Sequence, residues 1–217
     1  MRVVLFFSLL LCSAGVFGQI DKSSAGYRSC PDGRHPHLID LGLPSGTKWA
    51  CCNVGASSPE VDGDYYAWGE TAAKSVYTWS TYQHCDGSSY NCHNLGESIS
   101  GTQYDVARVK WGGEWQMPTL DQTKELLDKC KSEWTTQNGV AGRRFMGPNG
   151  GSIFMPAAGY RSGSILSSHG SWGDYWSGTQ SGGSGHYVSG LDFSSSSVEW
   201  YEDGSRRYGF SVRPVAR

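Results

Sequence analysis

Tyr187-Val188-Ser189-Gly190-Leu191-Asp192-Phe193 and Val198-Glu199-Trp200-Tyr201, separated by the polar run Ser194 to Ser197, are the stretches whose reading decides the architecture. Leu191 and Phe193 alternate with Gly190 and Asp192, the period-two signature of a strand with one core face. Phe210 and Val212 alternate in the same way within Tyr208 to Val212. Working outward, Asp174 to Ser177, Ser152 to Pro156 and Arg144-Phe145-Met146 also read as strands. Asn149-Gly150 and Asp203-Gly204 read as hairpin turns. Further back, the pattern changes to helical spacing at Leu120, Leu126, Leu127 and Cys130. Thr119, with Gln122 three residues on and Pro118 just before, is a capping-box start, so the sequence predicts one main capped helix over about 119–131. A shorter helical turn is expected over Tyr104 to Val109. Leu38 to Leu43 followed by Pro44-Ser45-Gly46-Thr47 reads as strand and turn, and Lys48 to Val54 as a second strand. Between there and Gly101 the chain is glycine-rich and polar, interrupted by Tyr65-Tyr66-Ala67-Trp68, whose rings must anchor it. The expected class is α+β, with mostly antiparallel strands in the second half.

Composition limits what such a fold could do. The chain has 217 residues, enough for one domain of ordinary size, and 9 Trp, 12 Tyr and 7 Phe argue for a packed core rather than disorder. Thirty glycines and 18% charged residues argue against a helical bundle. A net charge of −2 offers no polyanion-binding surface, so nucleic acid is excluded as an expected partner.

The N-terminus points to export. Arg2, the apolar run Val3 to Leu11 and small residues up to Gly18 describe a signal peptide over 1–18, with cleavage expected after Gly18. The run is shorter than the roughly 20 residues that span a bilayer, and no membrane insertion of the mature chain is expected. Lipid attachment at Cys12 is disfavoured by the bulky Leu11 before it. Residues 19–37 read as a leader, and 38–217 as one domain, secreted, periplasmic or held at the cell surface.

Besides Cys12 there are Cys30, Cys51, Cys52, Cys85, Cys92 and Cys130. An even count in an exported chain suits disulfides, although six cysteines allow 15 pairings. Cys85 and Cys92 bracket a polar loop and form a candidate local bridge. Cys52 with Cys130 is the favoured long one. In a strand, adjacent Cys51 and Cys52 would face opposite sides. Without a CxxC-type spacing, no metal site and no cofactor are expected. The histidines at 35, 37, 84, 93, 169 and 186 are scattered, and His35-Pro36-His37 reads as a surface feature. Asp62-Gly63-Asp64 reads as a solvated acidic turn rather than a calcium loop.

Several blocks, taken together, carry a family resemblance. Asp40-Leu41-Gly42-Leu43-Pro44-Ser45-Gly46-Thr47-Lys48-Trp49-Ala50, Cys52-Asn53-Val54-Gly55-Ala56, Asp64 to Thr71, Trp111 to Thr119, Phe154 to Arg161, Tyr175-Trp176-Ser177 and Gly209 to Val215 follow one another in order. Over about residues 38–217 the chain resembles the Fibrobacter succinogenes major paralogous domain and its relatives in Bacteroidetes. The resemblance implies a C-type lectin-like fold, shared with formylglycine-generating enzymes and with variable proteins of diversity-generating retroelements. Gln116 departs from the arginine usual in such sequences. Cys51 departs from the frequent threonine, which leaves a bridge to Cys30 open. The enzymatic carry-over fails, because no cysteine follows Cys130. The Glu-Pro-Asn, Gln-Pro-Asp and Trp-Asn-Asp strings of calcium-dependent sugar binding do not occur.

What remains is a surface rich in Ser, Gly, Tyr and Trp between Arg161 and Tyr208, a mixture that binding loops favour. Glu199, Glu202 and Asp203 could be read as an acid/base set, but they flank an expected turn and read better as exposed carboxylates. The expectation is a recognition or adhesion module without catalytic residues. It would bind an extracellular protein or glycan without calcium through Trp172, Asp174, His186, Glu199, Tyr201, Glu202 and Arg206. The alternatives are an enzyme of the formylglycine-generating-like superfamily with relocated active residues, and a structural subunit of a surface assembly.

Overall fold

The computed structural model describes residues 37–89, 91–182 and 185–217. The signal peptide, the leader up to residue 36, Cys12 and Cys30 lie outside the described residues. The chain is built mostly of antiparallel strands with two α-helices among the described residues.

The helix predicted from the capping box is present as α2 (Leu120–Lys129), with α1 (Val106–Trp111) before it. Thr119 Oγ1 accepts from the Gln122 amide at 3.3 Å, and Gln122 Oε1 accepts from the Thr119 amide at 2.9 Å. α1 starts later than expected because its cap is Asp105, whose Oδ1 accepts from the amides of Ala107 and Arg108. Its other oxygen accepts from Gly101 and Met117, so one buried carboxylate also fixes the loops on either side of the helix.

Three three-stranded antiparallel sheets organise the rest. β1 (Leu38–Asp40) pairs with β2 (Lys48–Ala50), which pairs with β11 (Val215–Ala216) near the C-terminus. β3 (Lys131–Gln137), β4 (Val140–Met146) and β5 (Ser152–Pro156) form a meander. β8 (Gly173–Gln180), β9 (Tyr187–Phe193) and β10 (Val198–Ser205) form another, with β9 central. A small hairpin, β6 (Tyr160–Ser162) and β7 (Ile165–Ser167), lies between the two meanders in sequence.

β9 has the predicted bounds and alternation. Leu191 and Phe193, with Tyr175 of β8, enter a core shared with Leu126, Phe145, Met155 and Trp49. Val188, with Trp176, enters a second core built on Tyr66, Trp68, Ile99, Phe210 and Val212, against which Tyr201 packs. The central sheet therefore separates two apolar clusters, and the anchor segment Tyr65 to Trp68 is buried as expected.

Four expectations are corrected. Asp203-Gly204 is not a hairpin turn: β10 runs through it, and the ladder shifts register between Tyr201 and Gly204. A Cβ on Gly204 would strike Tyr201 and Trp176, so glycine is there for close packing rather than for turning. Tyr208 to Val212 is not a regular strand; Gly209, Phe210 and Ser211 bridge to Arg161, Tyr66 and Tyr175 in turn, one residue per partner segment. β3 was not anticipated, because it is a half-exposed edge strand without an apolar face. It enters β4 through Asn138-Gly139, both at positive φ as a two-residue hairpin requires. The favoured Cys52–Cys130 bridge is not formed: Cys130 is a free thiol, whereas Cys85 and Cys92 are joined as expected.

Arg213 ties the sheets together. Its Nε donates to Asn53 Oδ1 at 2.8 Å, its Nη1 to the carbonyls of Ala50 and Cys51 at 3.2 and 3.0 Å, and its Nη2 to the Phe154 carbonyl at 3.0 Å. Replacing it with methionine keeps volume but strands four acceptors. Arg213→Met is expected to lower the unfolding free energy by about 3 kcal/mol in urea denaturation. Thr119→Ala, which loses one cap, is expected to cost about 1 kcal/mol.

Candidate functional site

A surface cleft of about 490 Å³ lies at one end of the β9–β10 hairpin. Four short pieces of chain supply its walls. Trp79 opens a 3₁₀ turn (Trp79–Thr81), and Ser89 comes from the loop closed by the Cys85–Cys92 disulfide. His186 and Tyr187 come from the entry to β9. Asp203 and Ser205 come from the end of β10, and Arg207 and Tyr208 from the turn after it.

Arg207 organises this wall. Its guanidinium stands over the Tyr208 ring at 4.3 Å and within 5.8 Å of the Trp79 ring centre. It donates to the Tyr208 hydroxyl at 3.2 Å and to the Tyr77 carbonyl at 3.5 Å. Nε of Arg207 and Nδ1 of His186 have no hydrogen-bond partner among the described residues. Tyr187 and Asp203 stand exposed at the rim. Flat rings beside a forked donor, a carboxylate and two serine hydroxyls suit a ligand with apolar faces and polar edges.

No family model, curated protein or solved structure matches the chain. What the cleft does must therefore be argued from its own geometry.

The residues singled out from the sequence do not gather in one place. His186 lines the cleft. Glu202 is exposed on β10, and Trp172 is exposed just before β8. Asp174 and Glu199 lie at the far end of the hairpin, flanking Asp192 on either side in register. Five residues along a strand separate the two ends, about 17 Å. Two residues are corrected outright. Arg206 is fully buried, its guanidinium 4.6 Å from the Trp68 ring centre and bonded to the His93 carbonyl and Gln180 Oε1. It braces the second core and offers a ligand nothing. Tyr201 turns inward, its hydroxyl against Gly190, where a Cβ would collide with it. Trp79, Arg207 and Tyr208 were missed. Their only sequence signal was aromatic residues in loops, and that signal is shared with every ring that anchors the core.

The row Asp174–Asp192–Glu199 places three carboxylates on one face of the central sheet. Burial, then the Asp192 charge, pushes the Asp174 carboxyl up to about 7. Burial, then Glu199 and Asp203, pushes Asp192 up to about 6. The Asp62-Gly63-Asp64 turn is engaged differently: Asp62 Oδ2 meets His169 Nε2 at 2.8 Å, and Asp64 Oδ2 accepts from the Tyr66 hydroxyl at 3.0 Å.

A second cluster forms where β1 and β2 meet α1. His37 is buried rather than a surface feature, its ring centre 4.5 Å from that of Trp111 and 5.1 Å from that of Trp115. β2 ends at Ala50, so Cys51 and Cys52 lie in a bend and do not splay to opposite faces. Both thiols approach His37 Nδ1, at 3.0 and 3.9 Å. A hydrogen bond from Cys51, aided by His37 and the Arg213 charge, pushes the Cys52 thiol down to about 5 against the opposing cost of burial.

Raised carboxyl values mean that the native state holds protons the unfolded chain has released. Their stabilisation is present below about pH 4 and is lost as pH rises towards 7. Asp174→Asn, which removes the titration, is therefore expected to raise stability by about 1 kcal/mol at pH 8 and to change it little at pH 4. Urea denaturation of both proteins at the two pH values checks this.

Proposed function

We propose that this chain is an exported recognition module that binds a glycan without calcium in the cleft lined by Trp79, His186, Tyr187, Asp203, Arg207 and Tyr208. The observation that carries the reading is the juxtaposition of the Trp79 and Tyr208 rings with the Arg207 guanidinium in the wall of the cleft. Sugar rings offer apolar faces to stack on aromatic side chains and hydroxyl edges to bond with charged and hydroxylic ones. A cleft of this volume takes a ligand of one to a few such rings. The disulfide Cys85–Cys92, the end of the hairpin and the Arg207 contacts come together where the ligand would sit.

The family resemblance over residues 38–217 supports the same reading. A C-type lectin-like domain of the Fibrobacter succinogenes major paralogous kind would present such loops on an antiparallel frame, and the mostly antiparallel strands agree with that at the level of class. The apolar start ending at Gly18 supports export to the cell surface or beyond. No helix among the described residues is long and apolar enough to cross a membrane.

The double variant Asp203→Ala, Arg207→Ala tests this. On a glycan array the wild-type chain should give discrete signals that fall at least tenfold in the variant. The variant should stay folded, with a cooperative melting transition lowered by no more than about 5 °C, because Asp203 is exposed and Arg207, though half-buried, lies at the cleft wall. Array signals that survive the double substitution would sink the site. Binding only to protein ligands, lost in the same variant, would keep the cleft and replace the ligand class.

A further inference from the structure

We propose that His37, Cys51 and Cys52 form a binding site for one thiophilic d¹⁰ cation, Zn²⁺ or Cu⁺. It is separate from the cleft and does not depend on what the cleft binds. The donor atoms Nδ1, Sγ and Sγ all lie within 4.8 Å of one another, and all three residues are buried. In a tetrahedral zinc site with metal–sulfur bonds near 2.3 Å and metal–nitrogen bonds near 2.05 Å, a sulfur and a nitrogen ligand stand about 3.6 Å apart. The observed separations of 3.0 and 3.9 Å bracket that value, so a cation would enter with side-chain shifts of a few tenths of an ångström.

The surrounding structure holds the donors in place. The Cys51 amide donates to the His37 carbonyl at 2.8 Å, which couples one thiol ligand to the backbone of the imidazole ligand. Arg213 holds the carbonyls of Ala50 and Cys51. Trp111 and Trp115 pack edge to face and wedge the imidazole with Nδ1 towards the sulfurs. Two thiolates and an imidazole make a soft set that selects Zn²⁺ or Cu⁺ over Mg²⁺ or Ca²⁺. Binding is a ligand exchange without oxidation: each thiol that is still protonated releases its proton as its sulfur bonds the metal. A cation here would join the entry to β1, the end of β2 and, through the tryptophans, α1.

The untagged full-length chain, purified without metal, should take up one Zn²⁺ per molecule in competition with a chromophoric chelator. In a parallel arm it should take up one Cu⁺ against bicinchoninate; saturation by either ion supports the site. Co²⁺ should give a thiolate-to-metal charge-transfer band in the same wild-type protein, a readout that needs no variant. Cys52→Ser should weaken uptake at least tenfold and abolish that band, while Cys130→Ser should leave both unchanged. No saturable uptake of either ion would overturn the site. So would a mass map of the native, alkylated chain that places Cys51 or Cys52 in a disulfide.

Discussion

A single buried guanidinium fixes how the two ends of the described chain meet. Arg213 is 1% exposed, yet its partners are an amide oxygen and three backbone carbonyls rather than a carboxylate. A buried cation is tolerated only where its donors are met, and here carbonyl dipoles from β2, from the bend after it and from β5 meet them. The consequence is structural economy: the last residues before β11 cannot move without releasing β2 and β5 together. A hydrogen bond from Cys51 does most to bias the nearby Cys52 thiol towards its ionised form, and the Arg213 charge adds to it.

The central sheet shows how the interior is partitioned. With β9 in the middle, Leu191 and Phe193 enter one apolar cluster and Val188 the other, so much of the strand is covered on both faces. Gly190 makes this possible on one side. It lies across from both Trp176 and Tyr201, and its missing side chain lets the tyrosine ring close over the strand. The cleft lies at the hairpin's end, where the 3₁₀ turn and the disulfide loop come within reach. The opposite end carries the carboxylate row, where burial and then neighbouring charge raise the Asp174 carboxyl to about 7 and the Asp192 carboxyl to about 6.

Much of the fold was legible in the residues. The capping box at Thr119 and Gln122 and the alternation through Leu191 and Phe193 are local signals, and the structure follows both. The loop bracketed by Cys85 and Cys92 closed as its spacing suggested. The failures share one cause, dependence on distant partners. β3 has no apolar face of its own and exists because β4 offers it a ladder. Arg206 reads as a surface cation until Trp68 and the His93 carbonyl are seen around it. The candidate site was legible only at His186. Trp79 lies more than a hundred residues away, and no pattern within either segment encodes their meeting.

The sequence alone therefore determined what short-range chemistry controls: where helix α2 begins, which strands alternate, and which local cysteine pair can bridge. Tertiary structure alone decided which rings became core and which became cleft, and that Cys51 and Cys52 turn together towards His37. The physical reason is that caps, turns and alternation act within a few residues. Burial and the convergence of donor atoms depend instead on contacts between segments far apart along the chain.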